Sequence, residues 1–251
     1  MLAIALLAAT ARPLPLPAAE LHVAVAANFS GPLKQLAPLF AHSSGNQILI
    51  SSGSSGQLYS QIREGAPFDV FLSADTDKPA LLESQGLTVP GSRFVYAIGT
   101  LVLWSSESGV VDDQGKVLDS HIYRHIGIAN PETAPYGTAA RQVLSRRQLW
   151  DKLNQAQKIV IGENITQTWQ FAATGNVDMA FVALSQVLGT DGKIPGSAWQ
   201  VPQNLYDPIE QGAVALAHSK QPAAAQAFLT WLRTDANALA VIRAAGYRTA
   251  D

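Results

Sequence analysis

The chain has 251 residues, of which 47% are hydrophobic and only 14% are charged, and its formal net charge is −2. This composition favours a globular protein with a sizeable core, and it excludes a disordered chain or attachment to nucleic acid or an anionic membrane through basic patches. Cysteine is absent, which excludes disulfides, a thiolate nucleophile and a lipid-modified cysteine anchor.

Residues 1–19 have the features of a secretory signal peptide. An apolar run over residues 1–9 precedes the small residues Ala18 and Ala19, as expected ahead of a cleavage site. The run is too short for a membrane-spanning helix, which needs roughly 20 apolar residues. We therefore expect an exported periplasmic protein that is soluble after signal removal. No basic residue precedes the apolar run, which leaves the start codon and the cleavage site open.

Apolar strand patterns alternate with amphipathic helical patterns from residue 21 onward. Strands are predicted over residues 21–25, 48–50 and 68–72, and each precedes a helix. This alternation is typical of an α/β fold with a mainly parallel sheet. The apolar stretch over residues 94–104 is too long for one edge strand, so we expect it to pass from one lobe into a second.

The remaining patterns predict that second lobe and a return to the first. Strands are expected over residues 125–129, 158–161 and 179–182, and residues 212–217 return the chain. The predicted architecture has two lobes, each a mainly parallel sheet flanked by helices, with a ligand in the cleft between them. The predicted boundaries are 20–98 and 216–251 for lobe 1, and 99–215 for lobe 2.

Four loops in which a strand runs into a helix carry the functional signal. Ligands of open α/β sheets bind beyond the carboxyl ends of the strands, and free N–H groups at helix starts bind anions. None of the loops contains Lys or Arg, whereas hydroxyl and amide side chains are common in them. For each loop alone, helix capping and turn formation are the stronger explanation. Together they predict an anion site built from neutral donors, at residues 26–32, 51–56, 130–137 and 162–168.

The order of these loops resembles the periplasmic molybdate-binding proteins of ABC importers. The resemblance covers residues 21–247, and its most specific segment is 65–75; the other marker segments are 23–29, 51–56, 130–137 and 181–183. It implies a type II periplasmic binding protein fold that captures molybdate and also tungstate. It further implies delivery to the membrane subunits of an ABC importer by a monomer that needs no cofactor besides the bound oxyanion.

The resemblance also implies which residues bind the oxyanion. Lobe 1 would contribute Asn28 and Ser55, and lobe 2 would contribute Tyr136 and the backbone N–H of Ile165. Many family members have a tyrosine where this chain has Ala183 and a small residue where it has Tyr136. The tyrosine hydroxyl has therefore moved to another loop, which favours Tyr136 as a ligand residue.

The identity of the oxyanion remains open between several alternatives. A fully ionised oxyanion only accepts hydrogen bonds, so a shell of hydroxyl, amide and backbone donors is complementary to it. Phosphate usually retains a proton at neutral pH, and Glu132 and Glu163 are the only acids in the four loops that can accept it. Sulfate is compatible with the same donors as molybdate.

An enzymatic function, such as that of a periplasmic hydrolase, is the weaker alternative. Residues 53–56 lack the lysine of a phosphate-binding P-loop and do not form a Gly-x-Ser-x-Gly nucleophile elbow. The pair His121 and His125 has a spacing that metal ligands can use, and Asp69 and Asp75 are candidate paired carboxylates. Apart from Glu132 and Glu163, the four junctions contain no carboxylate, histidine or lysine for acid–base chemistry. We therefore predict a binding protein that closes over its ligand near residues 99–103 and 212–217.

Overall fold

The structure is a computed structural model that describes residues 18–120 and 122–249. Residues 1–17 of the predicted signal peptide lie outside the described residues, and so does His121. Within the described part of the chain, no helix combines the length and the apolar character that crossing a membrane requires.

The chain first builds most of one α/β lobe. In chain order its elements are β1 (Glu20–Ala26), α1 (Ser30–Ser44), β2 (Gln47–Gly53), α2 (Ser55–Arg63), β3 (Val70–Leu72), α3 (Asp77–Ser84) and β4 (Phe94–Gly99). The three predicted strand–helix pairs are all present. A 3-10 turn over Ala27–Phe29 joins β1 to α1.

The second lobe begins directly after Thr100. Its elements are β5 (Leu101–Ser105), α4 (Val117–Ser120), β6 (Ile126–Ala129), α5 (Pro135–Arg146), α6 (Trp150–Gln155), β7 (Ile159–Gly162), α7 (Ile165–Ala173), β8 (Met179–Ala183), α8 (Leu184–Val187) and β9 (Ser197–Gln200). The apolar stretch over residues 94–104 is therefore two strands, one in each lobe, as its length predicts.

The chain then returns to the first lobe for its last elements, which are β10 (Ile209–Ala215), α9 (Pro222–Thr234) and α10 (Ala236–Ala244). The predicted lobe boundary at residue 215 is wrong, because β10 pairs with β3 and β4 of the first sheet. The second connection between the lobes is residues 201–208, not 212–217. The apolar pattern of β10 indicates that this segment is a strand. Which sheet the strand joins depends on its partners β3 and β4, which lie more than 100 residues away along the chain.

The two lobes contain sheets of matching topology. Their strand orders are β2-β1-β3-β10-β4 and β7-β6-β8-β5-β9. The first three strands of each sheet are parallel, and β10 or β5 runs antiparallel to both of its neighbours. Four of the five strands in each sheet therefore run in one direction, which confirms the mainly parallel architecture. The strands β1 and β2 of the first sheet end at the sheet edge that faces the second lobe. The strands β6 and β7 of the second sheet likewise end at the edge that faces the first lobe.

Candidate functional site

The four predicted site residues line one cavity between the lobes. Asn28 and Ser55 come from the first lobe, and Tyr136 and Ile165 from the second. The cavity is small, with a volume of about 10 Å³, and the four residues are at most 3% exposed. The structure thus brings the four residues together, and their role as ligand residues stays a prediction. The rest of the described lining is Ala26, Ala27, Gly53, Ser54, Ala74, Ala134 and Pro135.

The start of α2 presents Ser55 with its hydroxyl proton unused. Ser54 is the N-cap residue and forms a capping box with Gln57, which satisfies the backbone N–H groups of these two residues. Ser55 Oγ accepts a hydrogen bond of 2.9 Å from the backbone N–H of Ala74. Because that bond occupies a lone pair, the hydroxyl proton remains available to an acceptor in the cavity.

The start of α7 presents the backbone N–H of Ile165 in a similar way. Asn164 is the N-cap residue, and its Oδ1 accepts from the N–H groups of Thr166 and Gln167 at 3.0 and 3.1 Å. The Ile165 N–H makes no hydrogen bond to the described part of the chain. An N–H at this position carries the partial positive charge of the helix N-terminus, so it is a suitable donor to an anion.

Asn28 is buried in the 3-10 turn after β1, with its amide nitrogen turned towards the first lobe. Nδ2 donates to Gln211 Oε1 and to Tyr247 Oη, both at 2.9 Å. The sequence-based expectation is an amide that donates to the ligand, and in this arrangement both amide hydrogens have protein partners. A half-turn of the amide plane would place Oδ1 against Gln211 Oε1, which has no hydrogen to donate, so the observed contacts favour an Nδ2 that faces the first lobe.

Tyr136 is the second residue of α5, which begins at Pro135. Its hydroxyl accepts from Gln211 Nε2 at 3.3 Å, and that bond does not use the phenol proton. The pKa of Tyr136 is raised well above its ordinary value by burial and, to a smaller extent, by the nearby Tyr247 and Tyr96. Tyr136 is therefore a neutral hydrogen-bond donor at physiological pH.

The described lining of the cavity carries no charged side chain. Glu132 lies outside it, is 78% exposed and pairs with Arg141 at 3.3 Å. Glu163 also lies outside it and accepts a hydrogen bond from Gln57 of the other lobe. Neither acid is placed to accept a proton from a ligand in the cavity.

Hydrogen bonds between the lobes show that the cleft is closed. The N–H of Gly56 donates to the carbonyl oxygen of Thr133 at 2.9 Å. Ser185 Oγ donates to the carbonyl oxygen of Asn28, also at 2.9 Å. Thr166 Oγ1 lies 3.4 Å from the carbonyl oxygen of Ala27. These contacts lie around the cavity and shield its donors from water.

The alternative chemistries find little support in the geometry. Asp69 accepts from the His22 N–H and the Ser219 hydroxyl, whereas Asp75 pairs with Lys78 at 2.8 Å. The two carboxylates thus belong to separate networks. The described residues contain no group of three or more His, Cys, Asp or Glu side chains that could hold a metal ion.

Ala183 and three buried polar residues lie close to the site without lining the cavity. Ala183 ends β8, is fully buried and does not line the cavity. Gln211, Tyr247 and Tyr96 form a buried polar network behind Asn28 and Tyr136 that the sequence patterns did not predict. Gln211 is a polar residue within an apolar strand pattern, which is the one sequence signal that points to this network.

Comparison with known proteins places the chain among solute-binding proteins. A family model for bacterial extracellular solute-binding proteins matches residues 21–248. The molybdate-binding protein ModA of Azotobacter vinelandii is 52% identical over 231 residues, 92% of this chain and 90% of that relative. ModA of Rhodobacter capsulatus is 48% identical over 94% of this chain and 91% of that relative. A solved structure of the Azotobacter vinelandii periplasmic molybdate-binding protein superposes with a TM-score of 0.90, covering 92% of this chain and all of the other, at 48% identity.

Proposed function

We propose a transport function for this chain, which belongs to the bacterial extracellular solute-binding proteins and, within them, to the molybdate-binding proteins. It captures molybdate in the cleft between its lobes and delivers it to an ABC importer. The convergence of donors from both lobes on one small, uncharged cavity supports this function most directly. The chain acts in the periplasm, as a monomer, and its role is binding and not catalysis.

The donor set favours a fully ionised tetrahedral oxyanion. Ser55 and Tyr136 offer O–H groups, and Ile165 offers a backbone N–H at a helix start. A dianion without protons can accept from every one of these groups. Hydrogen phosphate has a proton to donate, and the described lining has no carboxylate to accept it.

We propose that tungstate binds as well, because it has the same tetrahedral shape and charge as molybdate. Sulfate is the main competing ligand, since it also only accepts hydrogen bonds. Its shorter bonds to oxygen make it a smaller anion, so it reaches fewer donors at once in a cleft closed around molybdate. We therefore expect the order of affinity to be molybdate and tungstate first, then sulfate, then phosphate.

Thermal and calorimetric titration of the mature chain against these oxyanions tests the function. A ligand present at 100 times its dissociation constant stabilises the folded state by about 2.7 kcal/mol. Molybdate and tungstate should each raise the melting temperature, and calorimetry should give one site per chain. Stabilisation by sulfate or phosphate alone, or by none of the oxyanions, refutes the proposal. Turnover of phosphoester or peptide substrates in the same preparation would support the hydrolase alternative.

A further inference from the structure

A buried glutamine connects the two lobes directly behind the cavity. Gln211 lies in β10 at a shift in strand register next to Gly212, and it is fully buried. Its Oε1 accepts from Asn28 Nδ2 and from the Tyr96 hydroxyl, both at 2.9 Å. Its Nε2 donates to Tyr136 Oη at 3.3 Å. One side chain therefore contacts a candidate ligand residue from each lobe.

Gln211 does not line the cavity itself, so any effect it has on a ligand passes through its neighbours. We propose that Gln211, which the Asn28 amide and the Tyr96 hydroxyl hold in place, is a positioning residue that orients the Tyr136 hydroxyl towards the oxyanion. This inference rests on the proposed function and extends it to a residue that makes no ligand contact.

The chemistry of a primary amide explains why a glutamine suits this position. Its oxygen accepts and its nitrogen donates, so it can hold an amide on one side and a phenol on the other. Because Nε2 donates to Tyr136 Oη, that bond does not consume the phenol proton. A carboxylate has no hydrogen to give, and a methionine of similar length has neither a strong donor nor a strong acceptor.

The position of Gln211 also links donor orientation to lobe closure. Asn28 and Gln211 belong to the first lobe, whereas Tyr136 belongs to the second. The bond from Gln211 to Tyr136 therefore forms only when the lobes close. A second contact between the lobes lies beside it, where Ser185 Oγ and Tyr247 Oη are 2.9 Å apart. Loss of the Gln211 side chain should accelerate ligand release far more than it slows ligand entry.

The test is a double-mutant cycle on molybdate binding with Gln211→Met, Tyr136→Phe and the combined variant. Gln211→Met should weaken binding by about 10-fold to 100-fold, the range seen when a group that orients metal ligands is lost. Stopped-flow kinetics should assign most of the change to the dissociation rate constant. In the Tyr136→Phe background the same substitution should cost markedly less, because part of its effect acts through the missing hydroxyl.

Ser92→Ala is the matched control for damage to the strand. Ser92 Oγ accepts from the backbone N–H of Ala215, at the other end of β10 and away from the cavity. This variant should lower the melting temperature and leave the molybdate affinity unchanged. If the parent protein binds no oxyanion, the proposed function is refuted. The inference about Gln211 is refuted separately, by its variants in a parent protein that does bind molybdate.

Two results would overturn the inference while the parent protein binds molybdate. One is an affinity of Gln211→Met equal to that of the parent. The other is a loss that is the same with and without the Tyr136 hydroxyl, which would mean that Gln211 acts only through general stability. If Gln211→Met does not fold, the cycle is repeated with Gln211→Glu. If the glutamate acts only through its charge, its effect on the molybdate affinity adds to that of Tyr136→Phe. If Gln211 positions the Tyr136 hydroxyl, the two effects are not additive.

Discussion

Gly99 should be indispensable for closure around the ligand, because the Tyr136 hydroxyl from the other lobe lies against its α-carbon. A Cβ added at Gly99 would lie 2.0 Å from Tyr136 Oη and 2.9 Å from both Gln211 Nε2 and Tyr136 Cζ. Heavy atoms in contact without a hydrogen bond are normally about 3.5 Å apart. Gly99→Ala therefore requires the hydroxyl, or the whole second lobe, to move by more than about 1 Å.

That displacement is large compared with what a binding site tolerates. Site geometry has to be maintained within about 0.5 Å, so Gly99→Ala should remove the Tyr136 donor and hinder closure together. We expect the molybdate affinity to fall by about 100-fold, which corresponds to about 2.8 kcal/mol. Isothermal titration calorimetry of the variant and the parent measures this difference. The lobes themselves should still fold, since the backbone of Gly99 is not in the left-handed region.

Gly31→Ala provides a matched control for this substitution. Gly31 lies in α1, and a Cβ added there meets nothing within 4 Å. The control should bind molybdate like the parent and gain up to about 1 kcal/mol of stability from the better helix former. Combining Gly99→Ala with Tyr136→Phe should cost less than the sum of the two single effects, because the 2.0 Å clash is gone while the 2.9 Å approaches to the ring Cζ and to Gln211 Nε2 remain. Parental affinity in Gly99→Ala would show that ligand binding does not require the close approach of Tyr136 to Gly99.

Three further outcomes follow from the site. Ser55→Ala should weaken molybdate binding by roughly 1.5–3 kcal/mol, the contribution of a hydrogen bond to a charged group, and equal calorimetric affinities would move the site away from α2. Asn28→Asp should bind more weakly than Asn28→Ala, because it places a carboxylate near an anion with no Lys or Arg in the described lining; the reverse order in calorimetry would show that Asn28 has no donor role. Burial raises the pKa of Tyr96 and Tyr136 well above the ordinary value and that of Tyr247 to about 12. The unfolded chain thus loses these protons above about pH 10 while the folded chain keeps them, so the free energy of unfolding should fall by about 1.4 kcal/mol per tyrosine per pH unit. Denaturant titrations between about pH 9 and 11.5 measure how steeply the free energy of unfolding falls with pH. The fall should be less steep in Tyr136→Phe than in the parent, and equal slopes would contradict burial of the Tyr136 hydroxyl.

Local features of the sequence determined much of this protein. Strand and helix periodicities depend on neighbouring residues, so they located the elements and the strand–helix junctions. The Ser54 capping box and the Asn164 cap are local as well, and they explain why Ser55 and Ile165 reach the cavity with free donors. The assignment of Asn28 and Tyr136 needed the family resemblance, because nothing in their immediate neighbourhood separates them from ordinary turn or core residues.

Only the tertiary structure decided how distant segments combine. The apolar pattern of β10 is compatible with either sheet, and its pairing with β3 and β4 is what returns the chain to the first lobe before residue 209. The same pairing places Gln211 between Asn28 and Tyr136, which are 183 and 75 residues away along the chain. The close approach of Tyr136 to Gly99 likewise exists only once the lobes close. Such contacts depend on which surfaces bury each other, and periodicity along a single chain carries no information about that choice.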